Sequence, residues 1–248
     1  MRFAVRLSFN GNNYFGWQSQ ENENTVQDKI EQAIKQRYNT KIEITGCCRT
    51  DSGVHASDFV FHFDYFEDLS EGFIYSLNKM LPDQIALHKI FRVPDDFHSR
   101  FDAVSRSYIY NLHVIKNPFR SGLSYYFPPL LNADFSLMAE AVEVIKQYKE
   151  FYTFCKTHTD VKTMVCDIQD LKWTRSTDGL DFSLIIKSNR FLRGMVRLIV
   201  GATINVGLGK TSLEELDFAL SNQTRLDKSW SVPPHGLFLN EVKYLTLD

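Results

Sequence analysis

Arg49, Asp51, Gly53 and His55 alternate along one short stretch, Gly46-Cys47-Cys48-Arg49-Thr50-Asp51-Ser52-Gly53-Val54-His55-Ala56. A guanidinium beside a carboxylate favours the ionised acid, and a glycine lets the backbone turn where an acid must be presented. The stretch therefore has the ingredients of a carboxylate-based active site. The plainer reading is that Asp51 opens a turn and Arg49 is its salt-bridge partner, since a pattern this short is weakly specific by itself. His55, four residues beyond Asp51, invites a hydrolase pair with a serine nucleophile. No Gly-x-Ser-x-Gly elbow accompanies it, so His55 reads as a structural histidine tying down the loop.

The residues before this stretch, Lys41-Ile42-Glu43-Ile44-Thr45, alternate polar and apolar as a half-buried strand does. A strand over residues 42–48 is predicted, and its continuation would point Arg49 and Asp51 to one side. Upstream lie a strand over residues 3–9, a turn at Asn10-Gly11-Asn12, and a helix from about Thr25. That helix carries Val26, Ile30, Ala33 and Ile34 at helical spacing, with Asp28 three residues after Thr25 as in a capping box. Strands over 58–65 and 85–93 and a helix near 70–80 complete the first set. The second set runs from a strand at 107–114 through a helix at 135–147, a hairpin turning at Thr177-Asp178-Gly179, helices at 191–206 and 213–221, and a strand at 236–244. Each set reads β-α-β-β-α-β, predicting an α+β fold of two ferredoxin-like halves with antiparallel sheets fused around a central cleft. The halves are placed at 1–104, holding Asp51, and 105–248, completing the cleft.

The 248 residues are 44% hydrophobic and 14% aromatic, enough to fill one large core or two smaller ones. No window approaches the ~18 uninterrupted apolar residues of a membrane span, and no signal-peptide pattern opens the chain. A cytoplasmic protein without membrane partners is expected. Cys47, Cys48, Cys155 and Cys166 show no metal-ligand spacing, so free thiols and no metal are expected. A net charge of −2 argues mildly against nucleic-acid binding. It conceals a local excess of cations: residues 182–213 contain no Asp or Glu, yet include Lys187, Arg190, Arg193, Arg197 and Lys210. Arg190, Arg193 and Arg197 would share one side of the predicted 191–206 helix, whose other residues are largely apolar. An arginine in such surroundings needs an anionic partner.

Gly207-Leu208-Gly209-Lys210-Thr211-Ser212 is not a P-loop, because Ile204 stands where its first glycine belongs and a helix, not a strand, precedes it. It reads as a helix C-terminal turn. Phe15 and Trp17 are assigned to core packing rather than RNA stacking.

Six separated segments resemble the TruA-type tRNA pseudouridine synthases. They are Phe9-Asn10-Gly11-x-x-Tyr14-x-Gly16-Trp17-Gln18 with Thr25-Val26-Gln27 behind it; the Gly46 to Ala56 stretch; Pro94-Asp95-Asp96-Phe97-His98-x-Arg100-Phe101-x-Ala103; Arg106-x-Tyr108-x-Tyr110; Phe191-Leu192-x-x-Met195-Val196-Arg197; and Gly236-Leu237-x-Leu239. The resemblance implies an isomerase that detaches uracil from a tRNA ribose and rejoins it through C5, on the 3′ side of the anticodon stem and loop. It implies no cofactor and a homodimer with tRNA lying across both subunits.

Position by position, the resemblance makes Asp51 the catalytic aspartate, acting as nucleophile at C1′ or as base at C2′. Arg49 and Arg197 are implied to lie around it and Tyr108 to stack on the target base. Arg190, Arg193 and His55 are the further substrate-binding candidates. Three positions depart from the family pattern: Cys48, where Gly or Ser is usual; Ser52, where Ala is usual; and Leu198, where many relatives have Asn.

Overall fold

A computed structural model describes residues 1–69, 72–156 and 162–247. In chain order the main elements are β1 (Arg2–Phe9), α1 (Val26–Tyr38), β2 (Thr45–Gly46), β3 (His55–Asp64), α2 (Phe73–Asn78), β4 (Ile85–Val93), β5 (Ser105–His113), β6 (Tyr125–Tyr126), α3 (Phe135–Lys146), β7 (Ile168–Arg175), β8 (Asp181–Ser188), α4 (Met195–Gly207), α5 (Leu213–Ser221) and β9 (Leu237–Lys243). They form two compact units, Met1–Arg106 with Phe238–Asp248, and Ser107–Leu237. The terminal segment, last in the second set of elements by sequence, thus belongs with the first unit.

In the first unit β1 lies antiparallel between β3 and β4, with Val5 opposite both Phe61 and Ile90. β2 pairs antiparallel with the far side of β3, and β9 adds in parallel through His55 opposite Phe238. The period of two puts Phe3, Val5, Leu7 and Phe9 of β1 and Phe59, Phe61 and Phe63 of β3 into the core. Val26, Ile30, Ala33 and Ile34 of α1 are buried as well. Burying each such large side chain contributes about 1.5–3 kcal/mol. The other face of the sheet carries charge, with Arg2 bidentate to Asp64 at 2.8 Å and Arg6 3.2 Å from Asp58. Burial raises the Asp58 carboxyl, opposed by the Val242 N–H it accepts at 3.0 Å and by the Arg6 charge.

The Thr25 hydroxyl caps α1 by accepting from Asp28 N–H, as the sequence suggests. The predicted 42–48 strand shrinks to Thr45–Gly46. The reason lies in α1: Ile44 N–H donates to Glu31 at 3.1 Å and Ile44 carbonyl accepts from Gln27 at 3.1 Å, so helix side chains replace a strand partner. The helix expected near 70–80 is Phe73–Asn78; Ser70 and Glu71 lie outside the described residues.

In the second unit β5 neighbours β8, β8 pairs antiparallel with β7, and β6 joins β5. The β7–β8 hairpin turns where expected, with Gly179 left-handed at φ 72° and Gly179 N–H donating to Ser176 carbonyl at 2.9 Å. α4 is the central helix, buried at every position except Arg197. It ends at Gly207, and Gly209 follows with φ 66°, which is the expected terminal turn. Among the described residues no helix is long and apolar enough to cross a membrane, and none of the four cysteines is in a disulfide.

Candidate active site

Asp51 lies on the loop between β2 and β3. It does not sit on a continuing strand, which corrects the expectation that extended geometry aligns it with Arg49. The chain leaves the ladder after Cys47, whose N–H still donates to Val60 carbonyl at 2.8 Å. It then turns back through Asp51–Val54, closed by Val54 N–H to Asp51 carbonyl at 3.2 Å, with Gly53 at φ 77°. Glycine is the residue for that left-handed position. Arg49 is exposed and Asp51 half-buried.

A second loop, residues 10–18, braces the first. Tyr14 carbonyl accepts from Gly53 N–H at 3.2 Å and from the Ser52 hydroxyl at 3.3 Å. The Ser52 hydroxyl therefore adds a bond to the brace. Gly11 N–H donates to His55 Nδ1 at 3.0 Å, which leaves the imidazole proton on Nε2. The His55 ring is 1% exposed and stacked on Phe238 at 4.4 Å, in agreement with the tethering role. Contact is closest at the glycines: a β-carbon would strike the Val54 carbonyl from Gly11, the Thr50 carbonyl from Gly16, and the Trp17 indole from Gly46. Gly16 is also left-handed, at φ 89°.

Trp17 is in the core, as expected, with its ring 4.0 Å from Phe59. Phe15 is not; it is 50% exposed. Its backbone is held the other way, N–H to Asn24 carbonyl at 2.9 Å and carbonyl to Gln20 Nε2 at 3.0 Å, so the side chain points outward.

Arg106, which the sequence marked in the Arg106-x-Tyr108-x-Tyr110 segment without assigning it a role, adds a further brace. Its side chain is 7% exposed, and Nη2 donates to Cys47 carbonyl at 2.8 Å and Arg100 carbonyl at 2.6 Å. The available signal was an arginine inside an otherwise strand-like run, Ser105 to Tyr110. Cys47 and Cys48 sulfurs lie 3.9 Å apart, and burial pushes the Cys47 thiol well up, away from the reactive thiolate.

In the second unit Tyr108 is 7% exposed and meets Phe191 edge-on at 5.1 Å. The expected three-arginine helix face is not present. Gly194, at φ 75°, breaks the helix before Met195, so Arg190 and Arg193 lie on the preceding loop and only Arg197 lies on α4. Arg193 is exposed; Arg190 Nη1 donates to Thr163 carbonyl at 3.3 Å. Arg197 Nε donates to Val232 carbonyl at 2.6 Å. Leu198 is packed into the core. Among the described residues no cluster of His, Cys, Asp and Glu is arranged to hold a metal ion.

What this arrangement can do chemically is present a carboxylate on a backbone fixed from several directions. Comparison with known proteins matches the chain to the tRNA pseudouridine synthase family over residues 6–102 and 148–245. It is 42% identical to tRNA pseudouridine synthase A of Parabacteroides distasonis, covering 98% of this chain and 96% of that one. It is 39% identical to the protein of the same name from Azobacteroides pseudotrichonymphae, again over 98% and 96%. Identity to that of Bacillus subtilis is 36%, over 98% and 99%. The braced loop belongs to the matched region, and so do Arg190, Arg193 and Arg197. The chain belongs to the tRNA pseudouridine synthase family, a family of isomerases.

Proposed function

We propose that this protein converts uridine to pseudouridine in the anticodon stem and loop of tRNA, with Asp51 as the essential carboxylate. The observation that carries the reading is the braced Asp51 loop within a family match spanning both units. The reaction breaks C1′–N1, forms C1′–C5, releases the C5 hydrogen as a proton and returns a proton to N1, with no net redox change. A carboxylate facing the electron-poor C1′ either attacks it or assists by taking the C2′ proton, and both are established uses of such a group.

Tyr108 is assigned to stacking on the target base, and Arg49 and Arg197 to the aspartate and a phosphate of the flipped nucleotide. Arg190 and Arg193 add positive charge for the RNA backbone. Flipping a base costs a few kcal/mol, which aromatic and cationic contacts offset. His55 is assigned to holding the loop through Gly11, and so to substrate only indirectly. The working form is taken to be a cytoplasmic homodimer. The ferredoxin-like character of the halves is supported in the first unit by its order β4-β1-β3-β2 and in the second by β5-β8-β7.

The test is to incubate the protein with tRNA transcripts whose only modifiable uridines lie in the anticodon stem and loop, digest them, and separate the nucleosides by chromatography. Pseudouridine is expected. Its absence from every tRNA, with tight binding retained, would leave an RNA-binding homologue without catalysis.

A further inference from the structure

Phe101 leaves 73% of its surface in water, although the backbone beneath it is fixed residue by residue. Phe97 carbonyl accepts from Arg2 Nη1 at 2.8 Å, and Ser99 carbonyl from the Tyr244 hydroxyl at 2.5 Å. Arg100 carbonyl accepts from Arg106 at 2.6 Å, and His98 carbonyl from the N–H groups of Phe101 and Asp102, each at 3.0 Å. Phe97 and Ser99 are buried. A large apolar side chain on a mobile loop is exposed for want of a place to pack. Here a preorganised segment holds the ring outward.

The ring has companions suited to a base. Arg100 lies over it, with the guanidinium carbon 5.7 Å from the ring centroid, and the His98 imidazole sits 4.3 Å away, tilted by 38°. The exposed acids Asp95, Asp96 and Asp102 belong to the same segment, so a phosphate is disfavoured while the neutral face of a nucleobase is not. The segment is also joined to the Asp51 loop within the same unit. Arg106 Nη2, which holds Arg100, donates to Cys47 carbonyl at 2.8 Å, and the Ser99 hydroxyl donates to Thr45 carbonyl at 2.7 Å.

We propose that Phe101, flanked by Arg100 and His98, is a stacking platform for an unpaired nucleobase of the RNA other than the uridine that reacts. The inference rests on RNA being the substrate. A rigid aromatic ring loses little freedom on binding, and stacking accepts any base.

The test compares wild type with Phe101→Ala, Phe101→Leu and Phe101→Trp, measuring Kd for an anticodon stem-loop RNA by filter binding, and turnover on tRNA. Phe101→Ala and Phe101→Leu should weaken binding about tenfold, and Phe101→Trp should restore it, with turnover at saturating tRNA within about twofold throughout. Unchanged affinity in Phe101→Ala overturns the platform, and so does full affinity in Phe101→Leu, which keeps bulk without a π face. Lost self-association by sedimentation with RNA affinity intact also overturns it, assigning the ring to a second copy of the chain. Failure of the functional reading looks different: wild type would bind RNA through Phe101 yet form no pseudouridine.

Discussion

Asp51 and Arg197 are held in place by different means. Asp51 stands on a loop outside any helix or strand, braced by contacts to a second loop: Tyr14 carbonyl on Gly53 and Ser52, Gly11 N–H on the His55 ring, and the α-carbon of Gly16 against Thr50. Arg197 stands on a helix immobilised by burial of its other residues, and its guanidinium is aimed by a bond to Val232 carbonyl. Positioning through backbone depends on residues that lack side chains, whereas positioning through burial depends on residues that have large ones. The two regions should therefore fail differently when altered.

Among substitutions that leave Asp51 itself in place, the largest effect should come from Gly16→Ala. An L-residue at φ 89° costs about 1–2 kcal/mol, and the added methyl displaces the Thr50 carbonyl next to Asp51. Misplacing a reacting group by an ångström costs about a hundredfold, so turnover should fall by about that factor while tRNA affinity stays near wild type. Near-normal turnover would break the contrast, because the loop would then not depend on its brace. Arg197→Ala should act on affinity: KM for tRNA rises about tenfold, and the slope of binding against salt falls by about one. A salt slope equal to wild type would remove Arg197 from the phosphate contacts.

A smaller effect concerns the acid stability of the first unit. His62 is buried beneath the 97–100 segment, its Nδ1 3.0 Å from the Ser99 hydroxyl. Burial, reinforced by Arg2 and His98, lowers its pKa to about 4. Between the ordinary value of 6.5 and about 4 the unfolded chain takes up this proton and the folded chain does not. Stability must therefore fall as pH falls through that window. His62→Asn keeps an acceptor for Ser99 and should flatten the melting temperature across that range. An unchanged pH profile would show that other groups set the acid limit.

Periodicity and caps were legible where one face alone decides structure. β4 at Ile85–Val93 and α5 at Leu213–Ser221 match the sequence reading, and Thr25 caps α1 as its spacing with Asp28 suggests. The sequence misled where a partner distant along the chain decides. Ile44 alternates like a strand residue yet bonds to side chains of α1. The apolar pattern from Phe191 onward suits a helix, but Gly194 adopts a left-handed conformation against the Lys156 side chain, and the helix waits for Met195. Phe15 has a core residue's composition, but its backbone bonds to Asn24 and Gln20 turn it outward. At the site the resemblance marked Asp51 and its neighbours directly. The roles of Gly11, Gly16 and Arg106 required three dimensions, because each acts through a backbone carbonyl or imidazole far away in sequence.

The central claim is that Asp51 performs the chemistry and the braced loop exists to present it. The most direct measurement is tritium release to water from tRNA labelled at uridine C5, with wild type and Asp51→Asn compared at equal RNA occupancy. Release by wild type and none by Asp51→Asn, with tRNA affinities within a few fold, is the predicted result. Release by Asp51→Asn at a rate near wild type would contradict the claim and place the essential carboxylate elsewhere.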